Sequence, residues 1–458
     1  YTGNEPASMR GARAKYDAYV QVFNRLEQYI VSGHNPEKVE LILMGGTFTS
    51  YEQAYQDEVI SGIYQAMNDF SELFYPNDEF SFSIFKEFFL LPGSIHDHER
   101  TAQLQEKITQ YKHASPRAAL SIPQLQQENE RTAIRCIGLT IETRPSHART
   151  HEANIMLEQG CTRVELGVQT TFDDVLTKVH RDHSVQDSIE AIADLRDLGF
   201  KLNFHIMLGM PLMTPDRDIE AAHRLFDDQA FRPDMLKVYP CMVLPGTPLY
   251  LDFRAGRYKP YSTLEAAEVI AQIKKFIPRY VRVMRVQRDI PTKVTTAGVG
   301  QTNLRQVVQD LCLQKGITCA CIRCREVRGQ TVNNPVLRIE TYDASGGKEF
   351  FIEYIDQSTD ALLGFCRLRF PARSLRAEIT DKSAIIRELH VYGTATGVGE
   401  DGLVQHKGVG KLLVNAAEKI TREHQKKKLL VISGVGVRAY YERLGFSHDG
   451  PYMSKTLE

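Results

Sequence analysis

The chain has 458 residues, 42% hydrophobic and 25% charged, with a formal net charge of −1. That length exceeds one ordinary hydrophobic core, so two or three domains are expected. The near-zero charge excludes a globally basic nucleic-acid binder, and no apolar run reaches the roughly 20 residues that span a bilayer.

Over the first three hundred residues, short apolar runs alternate with amphipathic stretches. "KVELILMGG" (Lys38 to Gly46), "RCIGLTIETRP" (Arg135 to Pro145), "RVELGVQT" (Arg163 to Thr170), "KLNFHIMLGMP" (Lys201 to Pro211) and "MLKVYPCMV" (Met235 to Val243) read as buried strands. "SIEAIADLRDLGF" (Ser188 to Phe200) reads as a helix between two of them. Strand then helix, repeated, predicts a parallel sheet in an α/β, partial β/α barrel, which places its chemistry at the strand C-terminal ends. Those ends are GGT, ETRP, GVQT and GMP, polar or glycine-rich as a site requires and as ordinary turns also are.

Arg279 to Gly300 is basic, with no acidic residue before Asp289. With the preceding lysines it offers Lys274, Lys275, Arg279, Arg282, Arg285 and Arg288 as phosphate contacts, the alternative being a solvated face or ion pairs. Cys312, Cys319, Cys321 and Cys324 follow as C-x6-C-x-C-x2-C. Close thiol pairs suit a four-coordinate structural zinc and point to a reducing compartment; Cys312, on a helix-like run, is equally a buried thiol.

From about Val336 the texture becomes α+β. Lys348 to Phe370 reads as a hairpin, Ala384 to Gly393 and Lys427 to Gly434 as strands, and Val437 to Phe446 as a helix. The division expected is a barrel over 1–300, a cysteine-rich linker over 301–335 and an α+β domain over 336–458. Between two of these strands lies "QHKGVGK": Gln405, His406, Lys407, Gly408, Val409, Gly410 and Lys411. Glycines at the mouth of a helix let backbone N–H groups approach a pyrophosphate, though a glycine pair alone is only a turn.

This order resembles the GNAT acetyltransferase fold, whose Q/R-x-x-G-x-G/A loop cradles acetyl-CoA. Val437, Tyr440, Tyr441, Gly445 and Phe446 match the family's late A-x-x-[FY]-Y-x-x-x-G-F motif, with Val for the usual Ala. The resemblance sets Tyr441, with Tyr440, near the thioester; core aromatics are the alternative. Glu388 lies on the strand where many such enzymes carry a general base, or it forms a salt bridge to Arg387 or a neighbouring strand.

The whole chain resembles the catalytic subunit of Elongator in its bacterial or archaeal form, on "YTGNEPASMRGARAKYDAY", "MGGTFTS", "CIGLTIETRP", "GCTRVELGVQ", "AFRPDMLKVYP", "MRVQRDIP", "CIRCREV", "IIRELHVYG" and "VISGVGVRAYYERLGF". That family joins a radical S-adenosylmethionine (SAM) barrel to an acetyltransferase-like domain, often with zinc between. The resemblance implies carboxymethylation of C5 of the tRNA wobble uridine from acetyl-CoA, with tRNA-dependent acetyl-CoA hydrolysis. Gly45, Gly46, Thr47, Glu142, Arg144, Glu165 and Gln169 would face SAM. The expected partners are a tRNA anticodon stem-loop and acetyl-CoA, without a membrane, in the cytoplasm; a homo-oligomer is left open. The family's 4Fe–4S cluster is held by three cysteines just before YTG, whereas this sequence starts at Tyr1. The polypeptide is therefore expected to lack the radical step while retaining acetyl-CoA and tRNA. A protein lysine acetyltransferase is the alternative, resting on the C-terminal domain alone.

Overall fold

The computed structural model describes residues 3, 5–94, 96–288, 290, 294–392 and 408–458. Six strands form a parallel sheet whose order follows the sequence: β1 (Lys38–Leu43), β2 (Arg135–Thr143), β3 (Cys161–Gln169), β4 (Lys201–Leu208), β5 (Met235–Pro240) and β6 (Arg282–Arg285). β3 and β5 are buried on both faces apart from Gln169, which is why they read as near-continuous apolar runs. The expected strands thus appear as a half-barrel, and β6 is added inside the basic stretch.

A second, mixed sheet has the order β12-β13-β11-β10-β9-β8-β7. Its strands are β7 (Pro335–Ala344), β8 (Gly347–Asp356), β9 (Leu362–Phe370), β10 (Ser383–Val391), β11 (Lys428–Val431), β12 (Ser447–Asp449) and β13 (Tyr452–Thr456). The expected hairpin is β8–β9. β10 pairs with β11 in parallel only from Ser383 to Ile386, and its pairing with β9 shifts register between Ile386 and Glu388. Beyond Ile386 the register with β11 ends, while β10 runs on to Val391.

The chain forms two compact units. The first comprises 1–142, 154–162 and 433–447; the second comprises 143–153, 163–432 and 448–458. The first unit is helical around β1 and β2, with an aromatic core. Phe70 and Phe74 lie 4.5 Å apart, Phe85 and Phe89 4.8 Å, and Phe23 and Phe70 5.3 Å between ring centroids. Its late segment, 433–447, is tied in by a buried ion pair, Arg438–Glu130 at 2.9 Å. Gly434 lies so close to the Ile137 carbonyl that any Cβ there would collide with backbone.

The second unit is held by an ionic seam rather than by apolar packing alone. Arg369 of β9 donates to Asp197 (Nε, 3.0 Å) and Glu349 (3.0 Å). Arg387 of β10 grips Asp234 through two bonds of 2.6 and 2.7 Å and also reaches Glu349 at 3.0 Å. Arg387 and Asp234 are both 0% exposed. Charges taken this far out of water persist only when fully partnered.

Candidate functional site

The parallel sheet of the second unit carries a buried polar constellation. Glu165 of β3 is 1% exposed. It accepts hydrogen bonds from Asn203 (3.1 Å) and Lys237, and shares one with His205 Nε2 (2.7 Å). Glu165 and Asn203 are register partners, as are His205 and Lys237, so strand pairing places all four side chains on one face. Burial works to raise the Glu165 pKa, but the His205 hydrogen bond and the Lys237 charge outweigh it and hold the carboxylate below its usual range. His205 stands edge-on to Tyr239, 5.5 Å between ring centroids.

Gln169, at the end of β3, has φ +67°, a conformation side chains rarely adopt. The same region gathers Arg144, Arg181 and His183. Arg144 reaches Asp182 at 3.6 Å, and Arg181 donates to the Gly167 carbonyl at 3.4 Å. Burial first, and the Arg181 charge next, push His183 down to about 4, so it is neutral at pH 7; the Val168 backbone offsets this only in part. Neither ring nitrogen of this buried histidine has a partner in good hydrogen-bond geometry, a state that costs free energy unless a ligand or water satisfies it. In the first unit, Gly45 and Gly46 follow β1 with φ +109° and +101°, and Thr47 leads into a short helical turn, where its carbonyl accepts from the Ser50 hydroxyl at 2.7 Å. Glu142 lies near the end of β2. Of the residues expected to face SAM, Glu165, Gln169 and Arg144 therefore sit amid unusual electrostatics or backbone.

Sequence reading missed Asn203, His205, Lys237, Arg181 and His183. The clue was present in Lys237, a lone cation inside the buried run MLKVYP, and in Asn203 and His205, two apart in KLNFHIML. A polar residue in a strand buried on both faces needs a partner.

Cys319, Cys321 and Cys324 bring their sulfur atoms within 4.8 Å of one another. Three soft thiols at this spacing fit zinc, and the surrounding chain is short enough to hold them without long loop closure. Cys312 is not in this group; it is a buried thiol of the helix Leu304–Gln314. Among the described residues, the other cysteines form no trio: Cys136, Cys161, Cys241 and Cys366 are buried and outside any such group. The described residues thus offer no three-cysteine set at the strand ends for a 4Fe–4S cluster.

Gln405, His406 and Lys407 lie outside the described residues. Gly408 caps the helix Val409–Glu423 with φ +76°, and Leu412 N–H donates back to its carbonyl at 2.9 Å. One face of this helix, with Lys411, Asn415 and Lys419, lines an open groove of about 460 Å³ that Leu337 also lines. Val409 is buried and Gly410 opens the first turn. A left-handed cap, the N–H groups of a first helical turn and Lys411 fit an anionic pyrophosphate.

Glu388 is paired with Arg367 of the neighbouring strand, Nε to Oε2 at 2.8 Å. Burial raises its pKa, and Arg367 more than offsets this, so the carboxylate stays ionised. Tyr441 is 5% exposed, 5.8 Å from Phe446 and 5.2 Å from Tyr440 between ring centroids, on the short helix Arg438–Glu442.

The cations expected on RNA are mostly engaged within the protein. Arg279 binds Asp360 bidentately at 2.6 and 2.8 Å and Glu353 at 3.1 Å. Arg282 pairs with Glu326 and donates to the Tyr392 hydroxyl at 2.6 Å. Arg288 lies 5.9 Å from the Tyr239 ring centre. Lys274 points at Cys324, Arg285 is half-buried and Lys275 is exposed.

Residues 8–225 match the Radical SAM superfamily, 233–312 the Radical_SAM C-terminal domain and 324–446 the acetyltransferase (GNAT) family. A Methanocaldococcus infernus protein named tRNA uridine(34) acetyltransferase is 39% identical over all of this chain and 79% of its own length. Elongator complex protein 3 of Saccharomyces cerevisiae is 38% identical over all of this chain and 76% of its own. The solved archaeal Elp3 of Methanocaldococcus infernus, with residues 1–46 deleted, superposes with a TM-score of 0.83 at 38% identity, covering 99% of this chain and 97% of that one. Among the described residues, no helix is long and apolar enough to cross a membrane. The half-barrel followed by a mixed acetyltransferase-like sheet and the full-length similarity agree: the chain belongs to the Elongator complex protein 3 family.

Proposed function

We propose that the protein is a tRNA-modifying acyl-CoA enzyme: it binds acetyl-CoA at the Gly408 helix, hydrolyses it in response to a tRNA anticodon stem-loop, and serves carboxymethylation of C5 of uridine 34. The observation that carries the reading is one chain holding both a pyrophosphate-type helix cap at Gly408 and a buried Glu165–His205–Lys237 constellation in a parallel barrel. The name of its Methanocaldococcus relatives, tRNA uridine(34) acetyltransferase, supports RNA as the substrate class.

Acetyl-CoA supplies a two-carbon unit activated as a thioester. The helix cap and Lys411 neutralise its pyrophosphate. Glu388, ionised beside Arg367, is the candidate to orient a water, and Tyr441 is the motif candidate for the thioester. Gly45, Gly46, Thr47, Glu142, Arg144, Glu165 and Gln169 are the candidates for SAM, whose bound form supplies radical chemistry in this family. The described residues carry no thiol set that would hold the iron–sulfur cluster beside it. From the basic stretch, exposed Lys275 and half-buried Arg285 and Arg288 are candidates for RNA, in a cytoplasmic setting.

The GNAT match over 324–446 also favours a second reading, a protein lysine acetyltransferase. Radiolabelled acetyl-CoA offered with a lysine peptide and no RNA separates the two. The proposed function predicts label released as acetate or left on CoA; stable label on the peptide would overturn it in favour of the second reading.

A further inference from the structure

The cations that the sequence offers to RNA are largely spent inside the fold, and free positive charge of the second unit lies elsewhere. It occurs at the C-terminal end of β4, where a pocket of about 250 Å³ is lined by Lys178, Leu212, Asp252, Arg257 and Lys259 around the Gly209–Met213 turn. Lys178 and Lys259 are exposed and have no ion-pair or hydrogen-bond partner among the described residues. Arg257 bonds Asp252 through Nε at 2.9 Å and Nη2 at 2.6 Å. Within the lining three cations face one carboxylate, and Glu265 lies within electrostatic reach of Lys259, which still leaves a surplus of positive charge in a concave, partly walled space.

The floor is built before any ligand arrives. Gly209 and Leu212 adopt φ +67° and +69°. The Gly209 N–H donates to buried Asp218 at 2.8 Å, and the Tyr258 hydroxyl donates to the Gly209 carbonyl at 2.7 Å. Such fixed backbone lowers the ordering cost of binding. The volume lies below the roughly 300 Å³ at which small-molecule sites begin, so a whole nucleotide is a poor fit while a phosphate group is not. Leu212, 52% exposed, adds an apolar edge beside the charge.

We propose that this pocket holds one phosphodiester of an RNA strand, with Lys178 and Lys259 as its ionic contacts, Arg257 as a third, and Leu212 against the adjoining ribose. The assignment rests on the proposed RNA substrate and deepens it. The pocket opens beside the strand end where a β/α barrel places its chemistry, so a strand clamped there is carried past the barrel mouth.

The test is fluorescence anisotropy of a labelled anticodon stem-loop against the full chain and its Lys178→Gln/Lys259→Gln variant, over a range of salt. Both lysines are exposed, so the fold is expected to survive, and unchanged acetyl-CoA affinity checks this. The proposal expects weaker RNA binding and a slope of log K against log salt that flattens by about 0.7–0.9, the change that follows when one phosphate is no longer neutralised. An unchanged slope and affinity would overturn it. If inorganic phosphate stabilises the wild type against heat but not the variant, and RNA affinity is equal, the pocket serves a free phosphoryl ligand and the RNA assignment falls. Absence of RNA binding by the wild type would instead remove the proposed function on which this site rests.

Discussion

Lys274 Nζ lies 3.4 Å from Cys324 Sγ, so a lysine that reads as an RNA contact is a hydrogen-bond donor to the thiol cluster. Three thiolates around a divalent ion leave a net negative charge, and Lys274 offsets it from the helix Thr263–Lys274. Outer partners of this kind are worth about 10–100-fold in metal affinity. Lys274→Met is expected to release zinc to a chromogenic chelator at least tenfold faster than wild type. Cys324→Ser should lose the metal, and Cys312→Ser should keep it; a full zinc complement in Cys324→Ser contradicts the assignment.

Arg387 is the keystone of the ionic seam. Removing it leaves Asp234 and Glu349 buried without their shared partner. Arg387→Met is expected to lower unfolding free energy by about 3–5 kcal/mol, the cost of an uncompensated buried charge. Guanidinium denaturation measures it. A loss under about 1 kcal/mol would mean that the seam is better solvated than its geometry indicates.

Asp218 gives a pH signature. Burial raises it to about 6, against partial compensation from the Tyr261 hydroxyl and the Gly209 N–H. Its folded pKa exceeds its unfolded one, so the native state binds the extra proton and this group's contribution to stability falls as pH rises from about 4 through about 6. An amide in its place keeps an oxygen for both donors without the buried charge. Asp218→Asn is therefore expected to be more stable than wild type at pH 7, by at most about 3 kcal/mol, with the gain vanishing near pH 4. Paired melting curves at about pH 4.5, 6 and 7.5 check the sign; a gain that grows toward acid pH contradicts it.

Gly408→Glu sets a side chain at φ +76° and a negative charge at the helix N-terminus. Acetyl-CoA affinity measured by calorimetry is expected to fall more than tenfold, with RNA affinity retained. Unchanged CoA binding would remove Gly408 from the pyrophosphate site.

Much of this fold was legible in the sequence because two periodicities differ. Buried parallel strands such as MLKVYP are continuous apolar runs, and helices between them are amphipathic, so β1–β5 and the half-barrel follow directly. β6 was hidden because one of its arginines finds its acidic partner only in three dimensions: RVMR looks like a charged face until Glu326 meets Arg282. β7 and the closing β12–β13 pair were hidden because β7 is a half-exposed edge strand and β12 and β13 are short. The cysteine trio was visible from its spacing, while the place of Cys312 was not, since distance along the chain does not say which way a helix turns a thiol. The polar group around Glu165 depends on register between strands that are far apart in sequence, which no local pattern encodes.

Acetyl-CoA chemistry that answers to RNA is what sets this reading apart from a plain acetyltransferase. The direct measurement is the initial rate of acetyl-CoA hydrolysis with and without an anticodon stem-loop bearing a uridine at the wobble position. A rate that rises with the stem-loop, and does not rise in the Gly408→Glu variant, is the predicted result. Equal rates with and without RNA would contradict it.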